Sequence, residues 1–188
     1  MKKRFSACLF AVSAIFALAG EIGGVSLPDT LQVGGQDLVL NGAGLRKKLF
    51  IKVYAGGLYL KEKSDDAQKI IEADEAMVLR MHFIYNGVSA KKLTDAWNEG
   101  FQASTGGDTA SIQTEIDQFN ALFTAEAKKN DVYDIIYQPD KGVEVVFNGE
   151  SQGVVAGLSF KKAVFGIWLG EKLADSNLKS VKTGLLGQ

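Results

Sequence analysis

Side chains alternate with a period of two on either side of a mid-chain block whose apolar residues recur every three or four positions. Few folds accommodate that order. In Leu45 to Leu60, Leu49, Ile51, Val53 and Ala55 alternate with Phe50, Lys52 and Tyr54, which predicts one long strand. Ala76 to Tyr85 predicts another, with Met77, Leu79, Met81, Phe83 and Tyr85 on one face and Val78, Arg80, His82 and Ile84 on the other. Upstream, Leu31 to Val33, the Gly34-Gly35 turn and Gln36 to Leu40 predict a hairpin. Asn41-Gly42-Ala43-Gly44 reads as a glycine-rich bend into the long strand, and Gly56-Gly57 as a bulge or a close approach by another element.

Helical periodicity fills the middle. Ser64-Asp65-Asp66 predicts the cap of a short helix through Ile71, and Ser89 the cap of a helix carrying Leu93, Ala96, Trp97 and Phe101 on its buried face. A second helix is expected over Thr109 to Lys129, burying Ile112, Ile116, Phe119, Leu122 and Phe123. Strands are then predicted at Val132 to Gln138, Val143 to Phe147 and Gly153 to Ala156. An apolar helix follows at Ser159 to Leu169 and a short one within Asp175 to Leu186. Runs of strands with clustered helices predict an α+β domain, an antiparallel sheet covered on one face.

Residues 1–19 read as a signal peptide. Lys2, Lys3 and Arg4 precede an apolar run from Phe5 to Leu18, and Ala17-Leu18-Ala19 sets small residues where a signal peptidase prefers them. The run falls short of the roughly 20 apolar residues that span a bilayer, so cleavage after Ala19 is expected; a retained anchor is the alternative. Cleavage would remove those three basic residues and Cys8, the only cysteine. The mature chain, residues 20–188, is expected to be mildly acidic, without a thiol or a membrane span, and periplasmic or secreted. Lys+Arg 21 against Asp+Glu 22 in the full chain supplies no broad basic field, which argues against nucleic acid as a partner.

Catalytic motifs are sparse. The sequence has no P-loop, no G-x-S-x-G and no H-E-x-x-H, and Gly42-Ala43-Gly44 lacks the third glycine of a dinucleotide cradle. His82 is the only histidine, so a metal site built from several histidines is excluded and no metal is expected. Neither is a cofactor, although one axial ligand, His82 or a tyrosine, is all that haem requires. One constellation stands apart: Arg46, Lys48, Phe50, Lys52 and Tyr54 share a parity, and Arg80 and His82 are the polar members of another face. If those faces meet, apolar walls with a few cations and hydroxyls would suit an amphipathic anion. The alternative is a solvated face whose lysines deter edge pairing.

Asn41-Gly42-Ala43-Gly44-Leu45-Arg46 followed by Phe50-Ile51-Lys52-Val53-Tyr54-Ala55-Gly56-Gly57-Leu58-Tyr59-Leu60 resembles the chalcone isomerase-like family. Gly24 to Pro28 and Phe165-Gly166-Ile167-Trp168-Leu169-Gly170 resemble its exported bacterial branch, and the resemblance extends over Val25 to Leu186. It implies an open-faced sandwich, a large antiparallel sheet under a layer of helices with a cleft between them. The plant enzymes of the family close a chalcone into a flavanone, with an arginine positioning the substrate and hydroxyl and amide groups stabilising the enolate. The arginine matches Arg46. Their threonine falls at Tyr54, and their tyrosine, asparagine and late threonine fall near Ser89, Ala96 and Ile167, so most of that polar set is unmatched.

The non-catalytic fatty-acid-binding members fit better, because in them an arginine and a tyrosine at the positions of Arg46 and Tyr54 hold a carboxylate. Tyr59, of opposite parity, is expected to be structural. Trp97, Phe101, Phe165 and Trp168 are candidate cleft walls, as are Lys52, Arg80 and His82; for the aromatic residues, plain core is the alternative. The expectation is a protein that binds a small amphipathic carboxylate, such as a fatty acid, without chemistry. An isomerase or lyase acting on an enone, and a partner-binding module with a filled cleft, are the competing readings.

Overall fold

The computed structural model describes residues 18–188. The expected signal segment up to Ala17, Cys8 included, lies outside them. Strands β1 (Leu18–Ile22) and β2 (Val25–Pro28) form a hairpin. The expected cleavage point after Ala19 falls within β1, and the Glu21↔Ser26 and Ile22↔Val25 pairs lie beyond it.

Seven strands then form one sheet in sequence order: β3 (Thr30–Val33), β4 (Gln36–Lys48), β5 (Ile51–Leu60), β6 (Met77–Phe83), β7 (Val132–Gln138), β8 (Gly142–Phe147) and β9 (Glu150–Val155). Every neighbouring pair is antiparallel. Helix α1 (Ala67–Glu72) lies between β5 and β6. Helices α2 (Ala90–Ser104) and α3 (Gln113–Ala121) lie between β6 and β7, and α4 (Leu158–Leu169) and α5 (Leu178–Leu185) follow β9. Among the described residues no helix is long and apolar enough to cross a membrane.

The expected fold class, an antiparallel sheet under helices, is observed. Leu79, Met81, Phe83, Tyr133, Ile135, Val143 and Val145 turn one sheet face inward, against Leu93, Trp97, Phe101, Phe160, Val164 and Trp168 of α2 and α4. The opposite face is only partly covered. Leu38, Tyr59 and Val78 form a small cluster there, and Val25 and Leu27 of the β1–β2 hairpin pack on Ala55. Tyr59 donates its hydroxyl to Pro28 O at 3.0 Å, a structural bond on that outer face. Both expected side-chain caps form: Asp66 accepts from Lys69 N and Ser89 from Lys92 N.

Three expectations are corrected. Asn41 to Gly44 is no bend but the middle of β4. Its glycines are there because α5 lies directly on the strand: a Cβ on Gly44 would sit 2.4 Å from Val181 O, and one on Gly42 2.3 Å from Gly184 O. Leu45 to Leu60 is two strands, reversed at Leu49-Phe50. The helix expected through Lys129 stops at Ala121, because Val88 and Ala127 exchange backbone hydrogen bonds of 2.9 and 2.8 Å that draw the chain back toward β7. Unforeseen is Lys161, fully buried on α4. Its Nζ donates to Ile70 O, Ile71 O and Ala73 O at 3.0, 2.8 and 2.6 Å, satisfying the C-terminal carbonyls of α1. Burial pushes its ammonium down to about 8.

Candidate functional site

The β4–β5 hairpin sets the site. Past its turn, Lys48 pairs with Ile51 and Lys47 with Lys52, a register that would bring Val53 opposite Arg46. An irregularity between Arg46 and Lys47 shifts the pairing by one residue, and Arg46 stands opposite Tyr54 instead. A bulge at this point therefore aims the guanidinium and the phenol to one side. Tyr54 in turn pairs with Phe83 on β6, with ring centroids 5.7 Å apart.

Helices close the space above this row. Trp168 of α4 donates its Nε1–H to Tyr54 Oη at 2.8 Å, and Trp97 of α2 lies 5.5 Å from Trp168 ring to ring. Between them is a cavity of about 520 Å³, within the range of small-molecule sites. Its buried walls include Tyr54, Phe83, Leu93, Trp97, Ile167 and Trp168. Its exposed rim includes Lys48, Leu49, Ile51, Tyr85, Lys92 and Asp95. Trp97 Nε1 is buried and has no hydrogen-bond acceptor among the described residues.

Burial raises the Tyr54 phenol above its ordinary value, against the opposing Trp168 hydrogen bond and Arg46 charge. It stays protonated at neutral pH. Its oxygen accepts from Trp168, which leaves its own O–H to donate. Arg46 holds Asp175, on the turn between α4 and α5, through two parallel contacts: Nη1 to Oδ1 at 3.2 Å and Nη2 to Oδ2. Nη1 also donates to Lys47 O at 2.9 Å. The Asp175 side chain is 37% exposed, against 15% for Arg46. The cavity thus ends at a carboxylate clamp filled by a carboxylate of the same chain.

Arg46, Tyr54, Trp97 and Trp168 all line this cavity. The other expected lining residues do not. Arg80 and His82 project from the outer face: His82 pairs with Ala55, which packs under the β1–β2 hairpin, and Arg80 forms a two-point bond with Asp134 at 2.7 Å each. Their face and that of Arg46 do not meet, because the β5–β6 register aligns Tyr54 with Phe83 and Ala55 with His82. Desolvation lowers the His82 pKa, partly offset by its bond to Asn130. Lys52 is exposed on the hairpin without lining the cavity. Phe101 packs on Phe119 and Phe160, and Phe165 lies 5.7 Å from Lys161 Nζ, so both are core.

Asp175 was not legible as a site residue, since 129 positions separate it from Arg46. Leu93 was legible through the buried stripe of α2. Ala96 and Ile167, which the family resemblance sets near the enzymes' asparagine and late threonine, both line the cavity.

Comparison with known proteins agrees with this architecture. A fatty-acid binding protein of Arabidopsis thaliana has a similar fold, with a TM-score of 0.67 and 20% identity over 87% of this chain and 92% of that one. No curated protein matches the chain significantly. The family model for chalcone isomerase-like proteins matches residues 19–187, and by that match over nearly its whole described length the chain belongs to the chalcone isomerase-like family.

Proposed function

We propose that the protein binds a fatty-acid-like carboxylate in the cavity between sheet and helices and does no chemistry on it. The observation that carries this reading is the cross-strand pairing of Arg46 with Tyr54 at the wall of an apolar cavity of about 520 Å³. The ligand's head group takes the place of Asp175 on the guanidinium, and Tyr54 adds a neutral donor oriented by Trp168. The chain lies against Leu93, Trp97, Ile167 and Trp168, where apolar burial supplies most of the affinity. The fold shared with a fatty-acid binding protein supports the choice of ligand class.

Two features favour binding over turnover. Ala96 and Ile167 offer no polar group to an enolate, and a tyrosine whose pKa is raised is a poor base at neutral pH. The reading includes export: cleavage after Ala19 would deliver a periplasmic or secreted protein beginning at Gly20. Native mass spectrometry of protein recovered from the periplasm tests both parts. It is expected to show the mature mass and a bound acid, the acid absent from Arg46→Ala. A ligand-free protein that also fails to take up dodecanoate in titration would overturn the binding reading, and an uncleaved mass the export reading.

A further inference from the structure

The geometry points to the β4–β5 turn as a docking tip for anionic lipid surfaces, placed at the rim of the cavity. Leu49 is 81% exposed, Phe50 100%, Ile51 47% and Tyr85 41%; Val154 is the only other large hydrophobic so exposed among the described residues. These four form one edge. Leu49 and Ile51 flank Phe50 in the chain, Tyr85 N bonds to Val53 O at 3.1 Å, and Leu49, Ile51 and Tyr85 all line the cavity rim.

Neither folding nor solubility selects these residues. A two-residue hairpin turn favours Asn-Gly, because left-handed backbone is strained for bulky side chains. Leu49 nevertheless adopts φ 56°, almost wholly in water. Such a cluster marks an interaction site.

Charge identifies the partner. The stretch from Arg46 to Lys52 holds Arg46, Lys47, Lys48 and Lys52 and no acidic residue, in a chain with more acids than bases. The three lysines are exposed and make no ion pair among the described residues. An exposed aromatic tip collared by lysines matches the apolar boundary and negative surface of an anionic bilayer. A second copy docked tip to tip would set lysine against lysine. A convex turn also offers a protein partner no groove. Asp95 and Glu99 lie on the α2 side of the rim, so the hairpin side faces the lipid.

Docking rests on the tip alone. Its use, passing an amphipathic ligand between bilayer and cavity, rests on the function proposed above. The test is co-sedimentation of the mature protein with vesicles of equal parts phosphatidylcholine and phosphatidylglycerol, and with phosphatidylcholine alone. Wild type is expected to bind the mixed vesicles and to lose binding as salt rises. Phe50→Gly, at a fully exposed position that makes no packing contact to lose, is expected to weaken binding about tenfold with Tm and dodecanoate titration unchanged. Lys47→Gln with Lys52→Gln is expected to cost about fivefold per lysine on mixed vesicles only.

Wild type that stays in the supernatant overturns the proposal, as does Phe50→Gly that sediments like wild type. Dimerisation lost in Phe50→Gly, without vesicle binding, assigns the tip to a second copy instead. Dodecanoate binding without vesicle binding leaves the ligand reading standing and removes docking, and the reverse result removes the ligand reading alone.

Discussion

Arg46 and Arg80 are the only arginines among the described residues, and each meets an aspartate through two parallel contacts. Their surroundings differ in what holds the aspartate. Asp134 stands opposite Arg80 on the adjacent strand, positioned by the β6–β7 ladder, with the two side chains 20% and 12% exposed. Asp175 sits on a turn between helices, half open to water; its carbonyl accepts from Leu178 N, but among the described residues its carboxylate is held by Arg46 and Asn177 N alone. A carboxylate fixed by a ladder is part of the sheet. One on a turn can give way to a competitor, and beside an apolar cavity that makes Arg46 the arginine available to a ligand.

The largest expected effect is at the closed pair. Arg80→Ala strands the Asp134 carboxylate in a site with little water, and unfolding by urea should show a loss of about 3 kcal/mol. Replacing Asp134 by Ala as well should recover part of that loss, because no unpaired charge then remains. Dodecanoate affinity is expected to be unaltered in both variants, since neither residue lines the cavity. A fall in affinity comparable to the fall in stability would mean that the outer face contributes to binding and that the two arginines are not functionally distinct.

Arg46→Ala should invert that pattern. Losing the charged donor to a ligand carboxylate weakens dodecanoate binding about 30-fold, or about 2 kcal/mol. Asp175, left on an exposed turn, keeps its hydration, so stability should fall by less than about 1 kcal/mol. Isothermal titration and urea melts on the same preparation separate the two effects. Large destabilisation with unchanged affinity would make Arg46 a second structural arginine.

How far these two residues could be told apart from sequence depends on register. Alternation gives the correct faces of β6, and strand, turn and cap residues predict an antiparallel sheet under helices, though not that Gln36 to Lys48 and Ile51 to Leu60 are two paired strands. Alternation says nothing, however, about which face of one strand adjoins which face of the next. The pairing of Ala55 with His82 follows from the β5–β6 register, fixed by packing across an intervening helix. A shared parity along one expected strand groups Arg46 with Tyr54. That strand is a hairpin whose turn register alone would separate them, and the bulge beside Arg46 reunites them. No residue type in Arg46-Lys47-Lys48 announces a bulge; the family resemblance carried that inference. Asp175 is illegible for a simpler reason, since its position depends on where α4 ends and α5 docks on Gly42 and Gly44.

If Asp175 occupies the ligand's place, removing its charge should help the ligand. Asp175→Asn retains an oxygen for Asn177 N but weakens the hold on Arg46, and dodecanoate affinity should rise about fivefold. Titration at two salt concentrations is the check, because screening should shrink the gain for a half-exposed pair. An affinity that falls instead would show that Asp175 orients Arg46 for the ligand and does not compete with it.

The smallest effect is the pH dependence of the same pair. Partial burial acts to raise the Asp175 pKa, but the hydrogen bond and charge of Arg46, with the Asn177 N–H, more than reverse this and hold it below 3.8. A carboxyl lowered in the folded state binds its proton later than in the unfolded chain as the solution is acidified. The stabilisation is therefore complete above the ordinary value and is lost as pH falls through the lower folded one. Because Asp175 is 37% exposed, the contribution should amount to about 2 °C in Tm. Thermal melts of wild type and Asp175→Asn should differ by that amount from neutral pH down to the ordinary value of 3.8 and converge below it. A gap that persists through the acid range would mean that Asp175 stabilises the α4–α5 turn through its bond to Asn177 alone, and the distinction between a ladder-held and a displaceable carboxylate would have to rest on ligand competition.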